Sequence, residues 1–450
     1  MLACNSNTQT NSELRTPNSE LKNITWSEHI APIIYKNCTP CHRPGAAGTF
    51  DLLNYDDAVK NANKIKFATG TRFMPPWPAD PGYRHFVDER VLTDLEIEQI
   101  KAWVDTKMLR GDSTKEMPTP FFYSGSFFGK PDLVIKLQKP VQIKGNGTDA
   151  FLILKYPYKL SADTFVDHVE FMPTQYKLIH HVNGHLLSYD PNRKFNYFEG
   201  ENCLADKVKD FKEAYRKMNI TYADNKQPDL PSLMPNVVYY LPGYIPPVYN
   251  EDIGGFRMKK DGVFMMNNIH YGPSNADVLD SSYLNVFFRK TPPKRPTFET
   301  QMGTFGISKI EPELIIPPNE IKTFHTKIQL QSDISILSVN PHMHLLGKTF
   351  WAFAVKNNDT IPLIKIKKWD FRWQYYYTYE HPVKIPKGYT IHVYGTFDNT
   401  DKNPMNPFHP PQEISQGVGN ESMQTTEEMF QFIFTYTMYK DGDEKISLKK

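Results

Sequence analysis

Cysteine is scarce in this chain: four in 450 residues, at positions 4, 38, 41 and 203. Only one closely spaced pair exists, so a structural zinc site has no second cysteine pair to complete its four ligands. Charge of either sign is not in excess. Lys and Arg number 52 against 50 Asp and Glu, a net +2, which gives no electrostatic case for a nucleic-acid partner. No apolar run is long enough for a membrane-spanning helix. No tandem repeat is present beyond Asn-Ser-Glu-Leu, which occurs at 11–14 and again at 18–21. What is abundant points to packed cores: 40% of residues are hydrophobic and 13% aromatic. The length suits about three domains. With 36 prolines and many Tyr, Thr, Val and Ile, strands and loops are favoured over a helical bundle.

The cysteine pair is the most informative local feature. Cys38-Thr39-Pro40-Cys41-His42 spells C-x-x-C-H, the attachment signature of c-type haem. Two thiols bind the porphyrin covalently and the neighbouring His supplies an axial ligand; a redox dithiol is the competing reading. Upstream, Ile24 to Asn37 reads as a short amphipathic helix. Downstream, Phe73-Met74-Pro75-Pro76-Trp77 offers Met74 in a proline-stiffened loop, and a Met/His pair is the ligand set that raises the potential of cytochromes c. His85 is the alternative sixth ligand. Thr93-Asp94-Leu95-Glu96 reads as a capping box, followed by Leu95, Ile97, Ile100, Trp103 and Val104 at helical spacing. Residues 24–112 resemble the cytochrome c modules that combine CxxCHRPG, here Cys38–Gly45, with MPPW, here Met74–Trp77.

Covalent haem attachment takes place outside the cytoplasm in bacteria, so a periplasmic or outward-facing location is expected. Met1-Leu2-Ala3-Cys4 resembles the stub of a lipobox, which makes Cys4 the candidate lipidation site of a Gram-negative lipoprotein. The polar residues behind it, to about 23, would form a tether, and the lipid would be the only membrane link. Cys203 has no partner in this scheme and is expected as a free thiol.

From Lys130 the pattern changes to short β-rich segments separated by turn residues, such as Asp132–Leu137, Ala150–Leu154, Leu178–Leu187 and Val263–Ile269. Asp206–Met218 reads as a helical insertion. Thr291-Pro292-Pro293-Lys294-Arg295-Pro296 marks a boundary, and a second strand-rich region runs to about Met438. The expected organisation is a tether (1–23), a helical cytochrome c domain (24–112), a linker (113–129) and two all-β sandwich domains (130–296 and 297–450).

The histidines of the β region fall into a pattern. His180-His181 lies in an apolar strand, where neighbours point to opposite faces; both can serve one metal only if the strand bulges there. His270 sits in Asn268-Ile269-His270-Tyr271-Gly272 at a strand end. His342-Met343-His344 places two imidazoles on one strand face. Imidazole suits copper, zinc, iron or nickel, and an added thioether favours copper. Met429, in Thr426-Glu427-Glu428-Met429, is the candidate thioether, with Met423 as runner-up. His168, His325, His381, His392 and His409 read as structural, and His185 as a neighbour of the pair rather than a ligand.

In order and spacing these residues resemble the copper type II, ascorbate-dependent monooxygenases, a family that includes peptidylglycine α-hydroxylating and dopamine β-monooxygenases. The resemblance spans roughly 130–440. It implies two jelly-roll-like domains with two copper ions. The electron-transfer copper would be on His180, His181 and His270, and the oxygen-activating copper on His342, His344 and Met429. It further implies hydroxylation of a C–H bond of a small organic or peptide substrate with O2. The two electrons required would come from ascorbate, an ascorbate-like reductant or a periplasmic donor, here relayed by the built-in haem. The chain departs from the animal enzymes in lacking their disulfides, so its domains must rest on core packing. The rival readings are a haem and copper electron-transfer protein without oxygenase activity, and a cytochrome-tethered binding module.

Overall fold

A computed structural model describes residues 23–122, 125–205, 211–249, 252–417 and 425–449. The lipidation candidate Cys4, most of the expected tether and the alternative thioether Met423 lie outside the described residues. The chain divides into two compact units.

The first unit comprises residues up to Pro44, Phe50–Pro75 and Arg90–Pro120, and it is helical. A π-helical turn, Trp26–Ile30, runs directly into the α-helix Ala31–Asn37. Two short helices follow, Tyr55–Lys60 and Ala62–Gly70, and then Asp94–Asp105. The capping box is formed: Thr93 Oγ1 accepts from the Glu96 N–H, and the Glu96 carboxylate accepts from the Thr93 N–H at 2.7 Å. Trp26 and Trp103, both fully buried, meet at 6.1 Å in a core with Ile30, Ile34, Ile65, Leu92 and Ile100. The indole N–H of Trp26 donates to Glu116 at 2.8 Å, so the buried ring leaves no donor unpaired.

The second unit holds Gly45–Thr49, Pro76–Glu89 and everything from Phe121 onward. It contains two successive β-sandwiches. In the first, Leu133–Lys136, Tyr283–Phe288, Thr164–Met172 and Phe256–Met258 form a four-stranded sheet. A five-stranded sheet packs against it, in the order Cys203–Ala205, Ala150–Lys159, Asp261–Tyr271, Ile179–Ser188 and Ser232–Tyr240. Inward residues of both sheets, among them Val169, Leu284, Phe264 and Met266, share one core. The second sandwich repeats the plan. Phe298–Gly303, Phe430–Met438, Ile334–Met343 and Tyr377–Ile385 face a sheet built around Ile321–Gln329, Thr390–Asp398 and Gly347–Lys356. Phe350, Phe397, Phe430 and Phe432 fill its core. Of the expected helical insertion, the described part is the helix Phe211–Lys217.

Residues 76–89, read from sequence with the haem module, pack into the β unit. Ala79 bridges to Ile366 and Phe86 to Tyr379, while the Trp77 ring lies 5.2 Å from Tyr377. Ala79 and Phe86 are buried there, which is what draws the segment onto the second sandwich. His85 goes with it, exposed on the surface and paired with Glu89 at 3.2 Å.

Candidate metal centres

In the helical unit, Cys38, Cys41 and His42 sit on one tight loop that leaves the helix Ala31–Asn37. The N–H groups of Cys41 and His42 both donate to the Cys38 carbonyl, at 3.1 and 2.9 Å. His42 Nδ1 lies 2.9 Å from the Phe50 carbonyl. A carbonyl only accepts, so Nδ1 carries the proton and Nε2 keeps the lone pair, the state an axial ligand needs. Desolvation raises the Cys38 thiol to about 12 and also raises Cys41, despite the nearby Arg90. That is opposite to the lowered thiol of a redox dithiol. Met74 lies on a separate segment of the same unit, just after Ala62–Gly70, with its N–H donating to Ala68 O at 3.1 Å.

In the first sandwich the strand Ile179–Ser188 pairs with Asp261–Tyr271. Ile179 faces Tyr271 and His181 faces His270, so His180 is an extra residue: the bulge that two adjacent ligands require. Both rings now approach His270, with centroids at 4.7 Å for His180 and 5.1 Å for His181. Further along, Asn183 faces Asn268 but Gly184 faces Met266, so Asn267 is an extra residue on the partner strand and restores the register. The neighbouring strand Ala150–Lys159 shows the same shift between Leu152 and Leu154.

His270 is 3% exposed and stacks on Phe151 at 4.3 Å. Its Nε2 donates to Asp149 Oδ1 at 2.7 Å, while its buried Nδ1 has no hydrogen-bond partner among the described residues. An orphaned imidazole nitrogen whose tautomer is set by a carboxylate is what a metal-ligating histidine shows before the metal is counted. Donor atoms of Asp149, His180 and His270 lie within 4.8 Å of one another; His181 stands beside this trio. Gly272 explains the glycine after His-Tyr: a Cβ there would fall 2.5 Å from His180 Nε2, so any side chain would push the imidazole aside.

In the second sandwich His342 and His344 end the strand Ile334–Met343, with ring centroids 5.1 Å apart. Met343 pairs with Phe430 and His342 with Gln431, so the register continued by one step sets Met429 opposite His344. His344 Nδ1 donates to the Glu427 carbonyl at 2.9 Å, which leaves Nε2 with the lone pair. His342 is hydrogen-bonded to the Gln374 side chain. The fully buried Glu428 clasps the two arms: its carboxyl accepts from the N–H groups of His344 at 2.9 Å, Leu346 at 2.7 Å and Met429 at 3.2 Å. Burial nevertheless lifts it to about 8.

His342, His344 and Met429 line a cavity of about 430 Å³ together with His181, His185, Asn267, Asn268 and Phe371. The Phe371 ring lies 6.3 Å from His181, 6.4 Å from His270 and 5.7 Å from His344, so one phenyl ring stands close to both histidine groups. Its loop is tied to the second group, because Gln374 donates to Phe371 O and the Trp369 indole to His344 O. The amide oxygens of Asn267 and Asn268, in the cavity wall, have no hydrogen-bond partner among the described residues.

Four imidazoles, those of His180, His181, His185 and His342, are shifted towards the neutral form, the form that metal ligation demands. Desolvation lowers His180 and, more strongly, His181; the surrounding histidines lower both further. Burial, with His344 adding to it, takes His342 to about 3, and burial alone takes His185 to about 4. His185 also accepts from the Asn236 N–H at 3.2 Å through Nδ1. An unfolded chain takes up protons on these groups near pH 6.5, whereas the folded chain resists until lower pH. The unfolded state thus binds more protons in that window, and metal-free protein is expected to lose stability as pH falls from about 6.5 towards 4. Urea midpoints across that range check this, and His185→Gln should flatten the slope.

Elsewhere, His325 and His392 share a ring-to-ring hydrogen bond of 3.0 Å on the second sandwich, His168 pairs with Asp167, and His381 bonds the Ile446 carbonyl. Cys203 is half-buried against the first core, and no disulfide forms among the described residues.

Sequence reasoning missed Asp149. It immediately precedes the strand Ala150–Lys159, 121 residues before His270, and only the pairing of Phe151 with His270 brings them together. Its substitution makes a sharp test: Asp149→Asn should lower copper affinity at the His270 group by about 10–100-fold, measured by competition with a chelator, and leave the other group unchanged.

Residues 303–407 match the family model described as "Copper type II ascorbate-dependent monooxygenase, C-terminal domain". The matched stretch contains His342, His344, Phe371 and Gln374. No curated protein matches the chain. A solved structure titled "Crystal Structure of the STIV MCP" aligns over 59% of this chain and 94% of that one, at 10% identity and a TM-score of 0.15, too low to bear on fold or function.

Proposed function

We propose that the chain is a copper-dependent monooxygenase that uses O2 to hydroxylate a C–H bond of a small organic or peptide substrate, with electrons supplied through a covalent c-type haem in its helical unit. The family match at 303–407 supports the copper-oxygenase class. The observation that carries the reading is the single cavity lined by His342, His344, Met429 and His181. His342, His344 and Met429 would hold one copper, and His180, His181 and His270 the other. Copper in these places supplies oxygen activation and one-electron redox chemistry.

The protein's own groups do the arranging. The thioether of Met429 beside two imidazoles favours the reduced metal. Asp149 keeps the His270 proton on Nε2 and so presents Nδ1; the Glu427 carbonyl keeps the His344 proton on Nδ1 and presents Nε2. Glu428 holds the backbone of His344 against that of Met429. Phe371 stands in the wall of the shared cavity, with its ring near His181 and His344. In the helical unit, Cys38 and Cys41 would carry the haem, with His42 and Met74 as axial ligands. A haem so held supplies one-electron transfer.

Protein produced with a haem-attachment system and copper should contain two coppers and one haem per chain, and should consume O2 when a reductant and substrate are present. A chain that binds copper without consuming O2 under any reductant would be an electron-transfer or binding protein instead. The intact mass should exceed the polypeptide by one haem that resists acidic acetone, and Cys38→Ala with Cys41→Ala should abolish it. An extractable haem would rule out covalent attachment. A lipid on Cys4 and a periplasmic or outward-facing location belong to the same proposal. Native protein should partition into detergent, and Cys4→Ser should release it.

A further inference from the structure

A second cavity of the β unit, about 650 Å³, takes no part in the chemistry above. Its wall includes four tyrosines and five prolines. Tyr239, Tyr244 and Tyr376 form one cluster, with centroids 4.9 Å apart for Tyr239 and Tyr244, 4.5 Å for Tyr239 and Tyr376, and 6.4 Å for Tyr244 and Tyr376. Among these rings stands one carboxyl, Glu299. It accepts hydrogen bonds from the Asn236 amide and, at 3.4 Å, from the Tyr376 hydroxyl. Both are neutral donors.

The other charges at this cavity are already neutralised. Asp167 pairs with Arg289 at 3.1 Å and with His168 at 2.9 Å, and Arg257 pairs with Asp163 at 2.7 Å. Among the described residues no Lys or Arg neutralises Glu299, and burial accordingly raises its carboxyl to about 7. A paired carboxylate would shift the other way. A carboxyl kept without a counter-ion at the wall of a cavity, beside a cluster of electron-rich rings, matches one ligand chemistry. The rings attract a cation through their quadrupoles, and the carboxylate neutralises its charge.

We propose that this cavity binds an organic ammonium ion, with Glu299 as its counter-charge and the tyrosine cluster as its cation–π wall. The site does not depend on the copper reading. It does adjoin the metal cavity: Asn236 lines both, its side chain on Glu299 and its backbone N–H on His185.

The test is calorimetric titration of the full chain with choline and with dimethylbutanol, the uncharged carbon isostere of choline. Choline should bind saturably and the isostere should not. Glu299→Gln should weaken choline by about tenfold or more. Tyr244→Leu, which leaves the carboxyl in place, should weaken it about threefold or more. The second variant keeps the proposal testable if the first does not fold. Absence of saturable choline binding to the wild type, equal affinity for the isostere, or full choline affinity in the variants would overturn it.

Discussion

Met429→Ala is expected to abolish carbon monoxide binding by the reduced, copper-loaded protein and to bring O2-dependent turnover to background, while copper stays on the His180, His181 and His270 group. The expectation follows from the softness of the two donor sets: two imidazoles with a thioether on one side, three imidazoles on the other. Met429 is only 8% exposed and is set opposite His344 by strand register, so truncation to Ala removes the sulfur, and no other methionine among the described residues lines its cavity. His180→Ala is the complement. It should leave carbon monoxide binding intact and still collapse turnover, because the altered group belongs to the strand Ile179–Ser188 of the first sandwich and Met429 adjoins the strand Phe430–Met438 of the second. In both variants the proposed haem should reduce normally, since Cys38, Cys41, His42 and Met74 lie in the other compact unit. Infrared spectra of the carbon monoxide adduct, with copper counts on each variant, read the contrast. Full binding and activity in Met429→Ala would move the thioether assignment to Met423.

The largest stability effect is expected at Glu428. Its carboxyl takes three backbone N–H groups, from His344, Leu346 and Met429, in a place closed to water. Glu428→Ala leaves all three donors unpaired. Each costs about 1–3 kcal/mol, so a loss of at least about 3 kcal/mol in urea unfolding is expected. Glu428→Gln keeps an acceptor oxygen and should lose roughly half as much or less. The two variants should also differ at the metal. In Glu428→Ala the strand end bearing His344 is no longer fastened to the residue before Phe430, so copper affinity should fall with stability. If Glu428→Ala unfolds at the wild-type urea midpoint, the clasp is not what joins these arms.

Much of the candidate site was legible in the sequence because its parts are local. Cys38 to His42 is one loop. His342 and His344 share a strand face by simple alternation. His180 with His181 announced that a bulge was needed, and a bulge is found. What escaped is what depends on distant pairing. Asp149 meets His270 only through the register of two strands. Phe371 sits in a loop with no periodicity, and nothing in Trp369 to Gln374 marks it as a ring close to both histidine groups. The excursion of residues 76–89 into the β unit rests on isolated bridges at Ala79 and Phe86, too short to leave a pattern. The β-rich reading of the chain from Lys130 needed only alternation and turn residues, whereas the assignment of strands to sheets needed the fold itself.

The two bulges of the first sandwich act as a frameshift and its correction. His180 inserts one residue on its strand and Asn267 inserts one on the partner, so only the pairs His181 with His270, Val182 with Ile269, and Asn183 with Asn268 are read out of frame. Beyond Gly184 and Met266 the core resumes its original phase. Deleting His180 alone would carry the inverted facing down the strand into Leu186 and Leu187, both buried. Deleting Asn267 as well would bring the ladder back into phase and leave a sound sandwich with no place for adjacent ligands. Length change at this pair of strands is therefore tolerable only in matched steps, and the metal-binding geometry occupies the short stretch that the mismatch encloses.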